Sequence, residues 1–204
     1  MAPPIQPEPL VLASASPRRA KLLRDAGYRF QIVRPPLTEP PGNRRAAAPA
    51  ALAEGLAYFK AMSVAVHSVK TIVLAADTLC AVGGQVVGKA ADREDARRIL
   101  RLLSGTRHEV ITGVALLSAG GARRRLASAV THVVFRPLAE EQVEQYLDSG
   151  EWQGKAGAYG IQDHGDTFVE RIDGSFSNVV GLPLELVGEL LAADVQSAAG
   201  AAGG

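Results

Sequence analysis

The chain has 204 residues, of which 47% are hydrophobic and 21% are charged, a balance that favours one globular domain or two small lobes. The formal net charge of +1 argues against a general nucleic-acid binder or a polybasic membrane surface, and no apolar run approaches membrane-spanning length. We therefore expect neither a nucleic-acid nor a membrane partner. The single cysteine, Cys80, cannot form an internal disulfide, which fits a cytoplasmic location.

The first patterned stretch, residues 10–19, predicts a short strand, a turn of small residues and the start of a helix. Ser16 is suited to cap this helix, and Pro17 suits its first position because proline lacks the amide hydrogen that would otherwise stay unpaired there. Arg18 and Arg19 then lie where the helix dipole is already positive, which is unfavourable unless an anion binds. The pattern is equally compatible with a phosphate site and with solvated surface arginines.

A second candidate feature is an acidic residue after a buried strand. Thr71–Ala76 is apolar and rich in β-branched residues, and it is followed by Asp77 and Thr78. Ligands of α/β proteins commonly bind at the carboxyl ends of central strands, and a buried carboxylate needs a partner or a metal. A hairpin is predicted over Leu79–Val87, after which Lys89 is placed to point back toward Asp77. The alternative is an aspartate that only caps a turn.

The remaining regular elements are predicted to be structural. Helical periodicity covers three segments, Pro49 to about His67, Asp92–Ser104 and Glu140–Leu147. A long antiparallel hairpin is predicted from His108–Leu117 and Arg123–Phe135. These elements supply the core that holds any site.

Other polar residues are informative only in combination. Glu39 lies in a proline-rich loop, and Lys60 lies off the apolar stripe of its helix, so each reads alone as a solvated side chain. The loop Gly154–Gln162 has three glycines at a spacing of three, which permits close approach of a ligand to the backbone. A loop of small residues follows at Ser175–Gly181, and a final helix is predicted over Leu182–Ala192.

Three separated stretches together resemble the Maf family of nucleotide pyrophosphatases, over roughly Leu10–Leu191. They are Leu-Ala-Ser-Ala-Ser-Pro-Arg-Arg at 12–19, Ala-Asp-Thr at 76–78 and Lys-Ala-Gly-Ala-Tyr-Gly-Ile-Gln at 155–162. The resemblance implies an α/β fold, an elongated mixed sheet with flanking helices and a deep central cleft (Maf or ITPase-like). We expect a disordered extension at 1–9, a single catalytic domain at 10–193 and a disordered tail at 194–204.

The resemblance also implies an activity, the hydrolysis of a nucleoside triphosphate to the monophosphate and pyrophosphate. The Ser-Pro-Arg-Arg, Ala-Asp-Thr and Gly-Ile-Gln forms are those of the subclass that acts on dTTP and UTP. A divalent cation, Mg²⁺ or Mn²⁺, and a homodimer are implied as cofactor and partner. The expected role is removal of unwanted nucleotides from the pool.

Residue roles follow from the chemistry of the reaction and from the resemblance. Asp77 is the candidate that orients or deprotonates the attacking water, or that holds the metal, and the resemblance adds Glu39 as a second metal ligand. Four side chains are expected to bind the phosphates: Ser14, Arg19, Lys60 and Lys89. Three are tied to base selection by resemblance: Arg18, Thr78 and Gln162. An amide such as that of Gln162 both donates and accepts, which suits uracil and thymine but does not by itself exclude cytosine.

Two alternatives remain open at this point. The chain is also compatible with a nucleotide-binding regulator of cell division or septum formation that acts through a partner. The second alternative keeps the pyrophosphatase chemistry but directs it to CTP, 7-methyl-GTP or a modified pyrimidine nucleotide.

Overall fold

The computed structural model describes residue 6 and residues 10–36, 48–65, 71–162 and 164–202. Its strands are β1 (Leu10–Ala13), β2 (Phe30–Val33), β3 (Ile72–Val82), β4 (Gln85–Val87), β5 (Arg107–Ser118), β6 (Arg123–Phe135) and β7 (Val169–Asp173). Its helices are α1 (Pro17–Asp25), α2 (Pro49–Ala65), α3 (Arg93–Leu103), α4 (Glu140–Ser149), α5 (Phe176–Val180) and α6 (Leu184–Ala202). Within these ranges no helix has the length and apolar character needed to cross a bilayer.

The strands form one seven-stranded mixed sheet in the order β2-β1-β3-β5-β6-β7, with β4 also paired to β3. Strand β1 is parallel to both β2 and β3, and the other pairs are antiparallel. The α/β mixed-sheet fold that the sequence predicts is therefore confirmed.

Glu39 and almost all of the predicted 1–9 extension lie outside the described residues. Gln6 is the exception, and its side chain accepts a hydrogen bond from the Arg29 amide at 2.8 Å.

Strand β3 is longer than the sequence predicts, and this changes the place of Asp77. The prediction ended the strand at Ala76, whereas β5 pairs with β3 continuously from Val73 to Ala81. Asp77 therefore lies in the middle of a strand and not at its carboxyl end. The run of apolar residues reveals a buried strand but not the length of the strand beside it. Pairing with β5 extends β3 through Asp77 and Thr78.

The other edge of β3 is interrupted beside Asp77. Strand β1 pairs with β3 only as far as Leu74, and β4 pairs with it only from Cys80 onward. Among the described strands, none pairs with this edge between those two residues. The gap opens a cleft along the middle of β3, with Asp77 and Thr78 at its floor.

Successive side chains of β3 point to opposite faces of the sheet. Val73 and Ala75 pack with Ala57 and Ala61 of α2. On the other face, Leu74 and Ala76 pack with side chains of α1 and α6, among them Leu23 and Leu191. Asp77 consequently faces α2, whereas Thr78 faces the α1 side.

Helix α2 approaches the sheet closely because Gly113 has no side chain. A Cβ atom at Gly113 would lie 2.2 Å from the carbonyl carbon of Ala53, inside the van der Waals contact distance. Gly113 lies directly opposite Asp77 in the β3–β5 register. This close approach brings α2, and with it Lys60, to the carboxylate.

Two C-terminal segments differ from the prediction. The segment predicted as a loop at Ser175–Gly181 contains the short helix α5, whose cap residue Ser175 accepts a hydrogen bond from the Asn178 amide at 3.2 Å. Helix α6 continues past Asp194, where a disordered tail was predicted. Alanine is the strongest helix former, and Asp194 is buried against Arg123 and Arg125 at 3.7 and 3.8 Å.

Candidate active site

Two adjacent cavities occupy the cleft beside β3. The inner cavity has a volume of about 130 Å³ and the more open outer cavity about 560 Å³. Residues that line both are Ser16, Arg18, Arg19, Lys60, Lys89 and Gly154. Polar residues that line only the inner cavity are Asp77, Thr78, Lys155, Tyr159 and Gln162. Ser14 and Gln153 line only the outer cavity.

The turn between β1 and α1 forms one wall of the cleft. As predicted, Ser16 caps α1, because its Oγ accepts from the Arg19 amide at 3.4 Å. The Ser14 hydroxyl accepts from the Ser16 amide at 3.1 Å. The first turn of α1 contains no acidic residue, so its dipole and its arginines face the cavities without local compensation from that turn.

Arg19 connects three parts of the chain. Its Nε donates to the carbonyl oxygen of Gly181 at 2.7 Å, its Nη2 to Thr78 Oγ1 at 3.0 Å and its Nη1 to Ser14 Oγ at 3.4 Å. The sequence assigns Arg19 to phosphate binding. These bonds also fix its planar guanidinium in one orientation, so that α1, β3 and the segment after α5 hold a common geometry.

Thr78 is enclosed by protein groups on the floor of the inner cavity. The Thr78 and Thr112 hydroxyls lie 3.0 Å apart, and either can donate in this contact. Each also reaches a carbonyl oxygen, that of Gly181 at 3.4 Å from Thr78 and that of Asn178 at 3.2 Å from Thr112. Thr78 accepts from Arg19 at the same time. The Thr78 hydroxyl therefore bridges Arg19 to Thr112 of β5.

Lys60 of α2 forms an ion pair with Asp77 through Oδ1 of the carboxylate. The side chains are 16% and 10% exposed, so a buried charge is compensated within the cleft. The sequence favoured Lys89 as the residue that points toward Asp77 and read Lys60 alone as solvated. Lys89 is exposed and lines both cavities, whereas the residue paired with Asp77 is Lys60, which the rotation of α2 directs inward.

The glycine-rich loop is tied to the end of β4. Ala156 forms an isolated β-bridge with Lys89, and the Gly157 amide donates to the carbonyl oxygen of Gly88 at 3.3 Å. A Cβ atom at Gly157 would lie 3.0 Å from Cys80 Sγ. The predicted close approach at this glycine is therefore made by the protein itself, and it fixes the loop against β3.

The aromatic side of the inner cavity is neutral. The hydroxyl of Tyr159 lies 2.9 Å from His108 Nε2, and both rings pack edge to face with Phe135. Burial lowers the pKa of His108 to about 4, raises that of the Cys80 thiol to about 12 and raises that of Tyr159. At neutral pH these groups add no charge to the site.

Lys155 is a cavity residue that the residue-by-residue prediction missed. It is only 8% exposed, and it follows Gly154 at the start of the glycine-rich loop. Its position inside the third matching motif was the available signal. The described cavity walls thus contain five cationic side chains and a single carboxylate, Asp77, an arrangement suited to a polyanion. The cationic side chains are Arg18, Arg19, Lys60, Lys89 and Lys155.

Comparison with known proteins gives consistent results. A family model described as Maf-like protein matches residues 9–194. A curated dTTP/UTP pyrophosphatase of Bdellovibrio bacteriovorus is 45% identical over 188 residues, covering 89% of this chain and 96% of that protein. The dTTP/UTP pyrophosphatases of Pelotomaculum thermopropionicum and Symbiobacterium thermophilum are 42% and 45% identical, covering 94% and 92% of their own lengths and 89% of this chain.

Proposed function

The chain belongs to the Maf family, and we propose that it hydrolyses dTTP and UTP to the nucleoside monophosphate and pyrophosphate. The observation that carries this proposal is Asp77, a carboxylate paired with Lys60 on the floor of a cleft whose other described charged residues are cations. A triphosphate binds favourably to those cations, and the carboxylate supplies an acceptor for the proton of the attacking water. The relatives named dTTP/UTP pyrophosphatase match 89% of the chain.

The reaction breaks the bond between the α-phosphorus and the oxygen that bridges it to the β-phosphorus. Water adds to the α-phosphorus and loses a proton, for which Asp77 is the acceptor, and pyrophosphate leaves with the bridging oxygen. Positive side chains near the β- and γ-phosphates stabilise the charge that develops on this leaving group. We assign that role to Lys89 and Arg19, since both line the two cavities.

The two cavities suggest how the nucleotide lies. The outer cavity, with the Ser14 turn and the exposed Lys89, suits the β- and γ-phosphates. The inner cavity of about 130 Å³ is far smaller than the roughly 300–1,000 Å³ typical of drug-sized ligands. The inner cavity suits a single-ring base, which would lie next to Gln162. The α-phosphate would then lie at Asp77, between the base and the outer cavity.

We propose Mg²⁺ or Mn²⁺ as the cofactor. Magnesium commonly binds through one or two carboxylates together with substrate phosphates, so the single described cavity carboxylate, Asp77, fits such an ion. Glu39 lies outside the described residues and is proposed as the second carboxylate because the resemblance to the Maf family implies it. A bound cation supplies further neutralisation of the triphosphate charge.

The decisive experiment is a pyrophosphate-release assay over a panel of nucleoside triphosphates with Mg²⁺, Mn²⁺ or a chelator. Asp77→Asn is expected to lower kcat by about 100- to 10,000-fold, the usual worth of a general base. Asp25→Asn is the matched control, because Asp25 is 59% exposed in α1 and pairs with Lys21 one turn away in the same helix. Circular dichroism checks that both variants fold.

Three outcomes of this assay contradict parts of the proposal. Wild-type turnover by Asp77→Asn would remove Asp77 from the mechanism. Undiminished activity in the chelator would remove the metal. Absence of release from every nucleotide would favour the regulator of cell division that acts by binding.

We also propose a homodimer in the cytoplasm that clears unwanted pyrimidine nucleotides. The single buried Cys80 supports a reducing compartment. Light scattering coupled to size-exclusion chromatography tests the dimer, and a monomeric mass at micromolar concentration would contradict it.

A further inference from the structure

Lys155 differs from the other cations of the cleft in where it lies. Arg18, Arg19, Lys60 and Lys89 line both cavities, whereas Lys155 lines only the inner one. It is also largely buried. A cation whose role is to bind the β- and γ-phosphates is expected in the outer cavity, so Lys155 is a candidate to contact the base or the α-phosphate instead.

The backbone on either side holds Lys155 in a defined position. Its amide donates to the carbonyl oxygen of Trp152 at 3.4 Å, and its own carbonyl accepts from the Ala158 amide at 3.1 Å. The next residue, Ala156, is bridged to Lys89. A side chain on such a supported loop can read a ligand atom with little loss of conformational entropy.

Gln162 does not by itself explain how cytosine is excluded, whereas an ammonium group can. A lysine ammonium has three donors and no acceptor, whereas an amide can turn to present either. Uracil and thymine carry a carbonyl oxygen at ring position 4, and cytosine carries an amino group there. A buried ammonium beside this position therefore favours the carbonyl and leaves two donors facing each other when cytosine binds.

We infer that Lys155 determines base specificity by donating a hydrogen bond to the 4-carbonyl oxygen of uracil or thymine, and that it thereby excludes cytosine nucleotides. The inference rests on the proposed pyrophosphatase function. Lys155 and Gln162 line the same inner cavity, so both lie within reach of one single-ring base. Gln162 then selects the pyrimidine edge, and Lys155 distinguishes a keto from an amino pyrimidine.

The test compares kcat/KM for UTP and CTP in three variants. Lys155→Met keeps the length of the chain but removes the donor, and the UTP-to-CTP ratio is expected to fall at least about tenfold, the worth of a hydrogen bond to a charged group. Lys155→Gln is expected to lower the ratio similarly, because its amide can accept from the cytosine amino group. Lys155→Arg stays a pure donor and is expected to retain the UTP preference.

Lys21→Met is the matched control, since Lys21 is 65% exposed on α1 and outside both cavities; its ratio is expected to equal that of the wild type. Equal losses for UTP and CTP in Lys155→Met would overturn the inference and assign the residue to phosphate binding or folding. If Lys155→Met does not fold, equal ratios in Lys155→Gln and Lys155→Arg overturn it. A wild type without turnover refutes the proposed function alone, and calorimetric affinities for UTP and CTP then give the same comparison.

Discussion

Asp77 of β3 lies directly opposite Gly113 of β5, and the backbone of α2 rests where a Gly113 side chain would be. The same contact that packs the helix on the sheet therefore sets the distance between Lys60 and Asp77. Gly113 therefore affects both the packing of α2 on the sheet and the ion pair of Lys60 with Asp77.

Gly113→Ala is expected to destabilise the fold. The added methyl would lie 2.2 and 2.3 Å from backbone atoms of Ala53 and Glu54, which must move for it to fit. Overpacking of this kind costs about 1–3 kcal/mol or more in free energy of unfolding, measured by urea denaturation. Because α2 moves with Ala53, kcat is expected to fall as well.

Gly55→Ala is the matched control for Gly113→Ala. Gly55 lies within α2, and a Cβ atom there meets nothing within 4 Å. Its free energy of unfolding is expected to rise by about 0.5–1 kcal/mol, because alanine has the higher helix propensity. Equal effects from the two substitutions would contradict the close-packing argument.

Arg19→Lys is expected to raise KM for UTP by about tenfold or more, because a lysine cannot replace the fork of donors that Arg19 extends to Gly181, Thr78 and Ser14. Steady-state kinetics measure the change. Arg24→Lys, in the same helix but outside both cavities, serves as the control and is expected to leave KM unchanged. An unaltered KM in Arg19→Lys would refute the orienting role.

The sequence predicts local structure well in this chain and predicts contacts between elements less well. The capped start of α1 and the long β5–β6 hairpin are correct, because cap residues, turns and alternation are local properties. The continuous β3 is not local, since its extent depends on β5. The ion pair of Asp77 with Lys60 depends on how α2 is rotated, which the apolar stripe indicates only coarsely.

The candidate site shows the same division. The motifs selected Arg18, Thr78 and Gln162, and the fold brings these three residues to one cavity. Neither composition nor spacing distinguished Lys155 from a solvated lysine. Lys155 is buried in a loop that docks on the end of β4 through a long-range hydrogen bond between Gly157 and Gly88, a contact that sequence patterns do not reveal.

Gln162→Ala is expected to reduce the preference for pyrimidine over purine triphosphates, here UTP over ATP and GTP, more than it weakens triphosphate binding. Gln162 lines only the inner cavity, whereas most phosphate-binding candidates also line the outer one. The measurements are kcat/KM for each nucleotide and inhibition by inorganic tripolyphosphate. Gln153→Ala, in the outer cavity, is the control with the wild-type ranking. An unchanged ranking in Gln162→Ala would remove this residue from base reading.

His108 is expected to make the fold sensitive to mild acid. Burial lowers its pKa to about 4, whereas the unfolded chain has the ordinary value of about 6.5. The unfolded state therefore binds the proton first, so stability is full above pH 6.5 and is lost as the pH falls toward 4. Between pH 7 and pH 5 this one group is expected to remove about 2 kcal/mol from the free energy of unfolding.

His108→Gln isolates that contribution, because glutamine does not titrate and its amide can still bond the Tyr159 hydroxyl, which lies 2.9 Å from the imidazole. Urea denaturation of both proteins at the two pH values gives the comparison. The variant is expected to be less stable at pH 7, since it loses the edge-to-face packing with Phe135, but to lose about 2 kcal/mol less on acidification. Identical losses in the two proteins would show that His108 is not the group that titrates on unfolding.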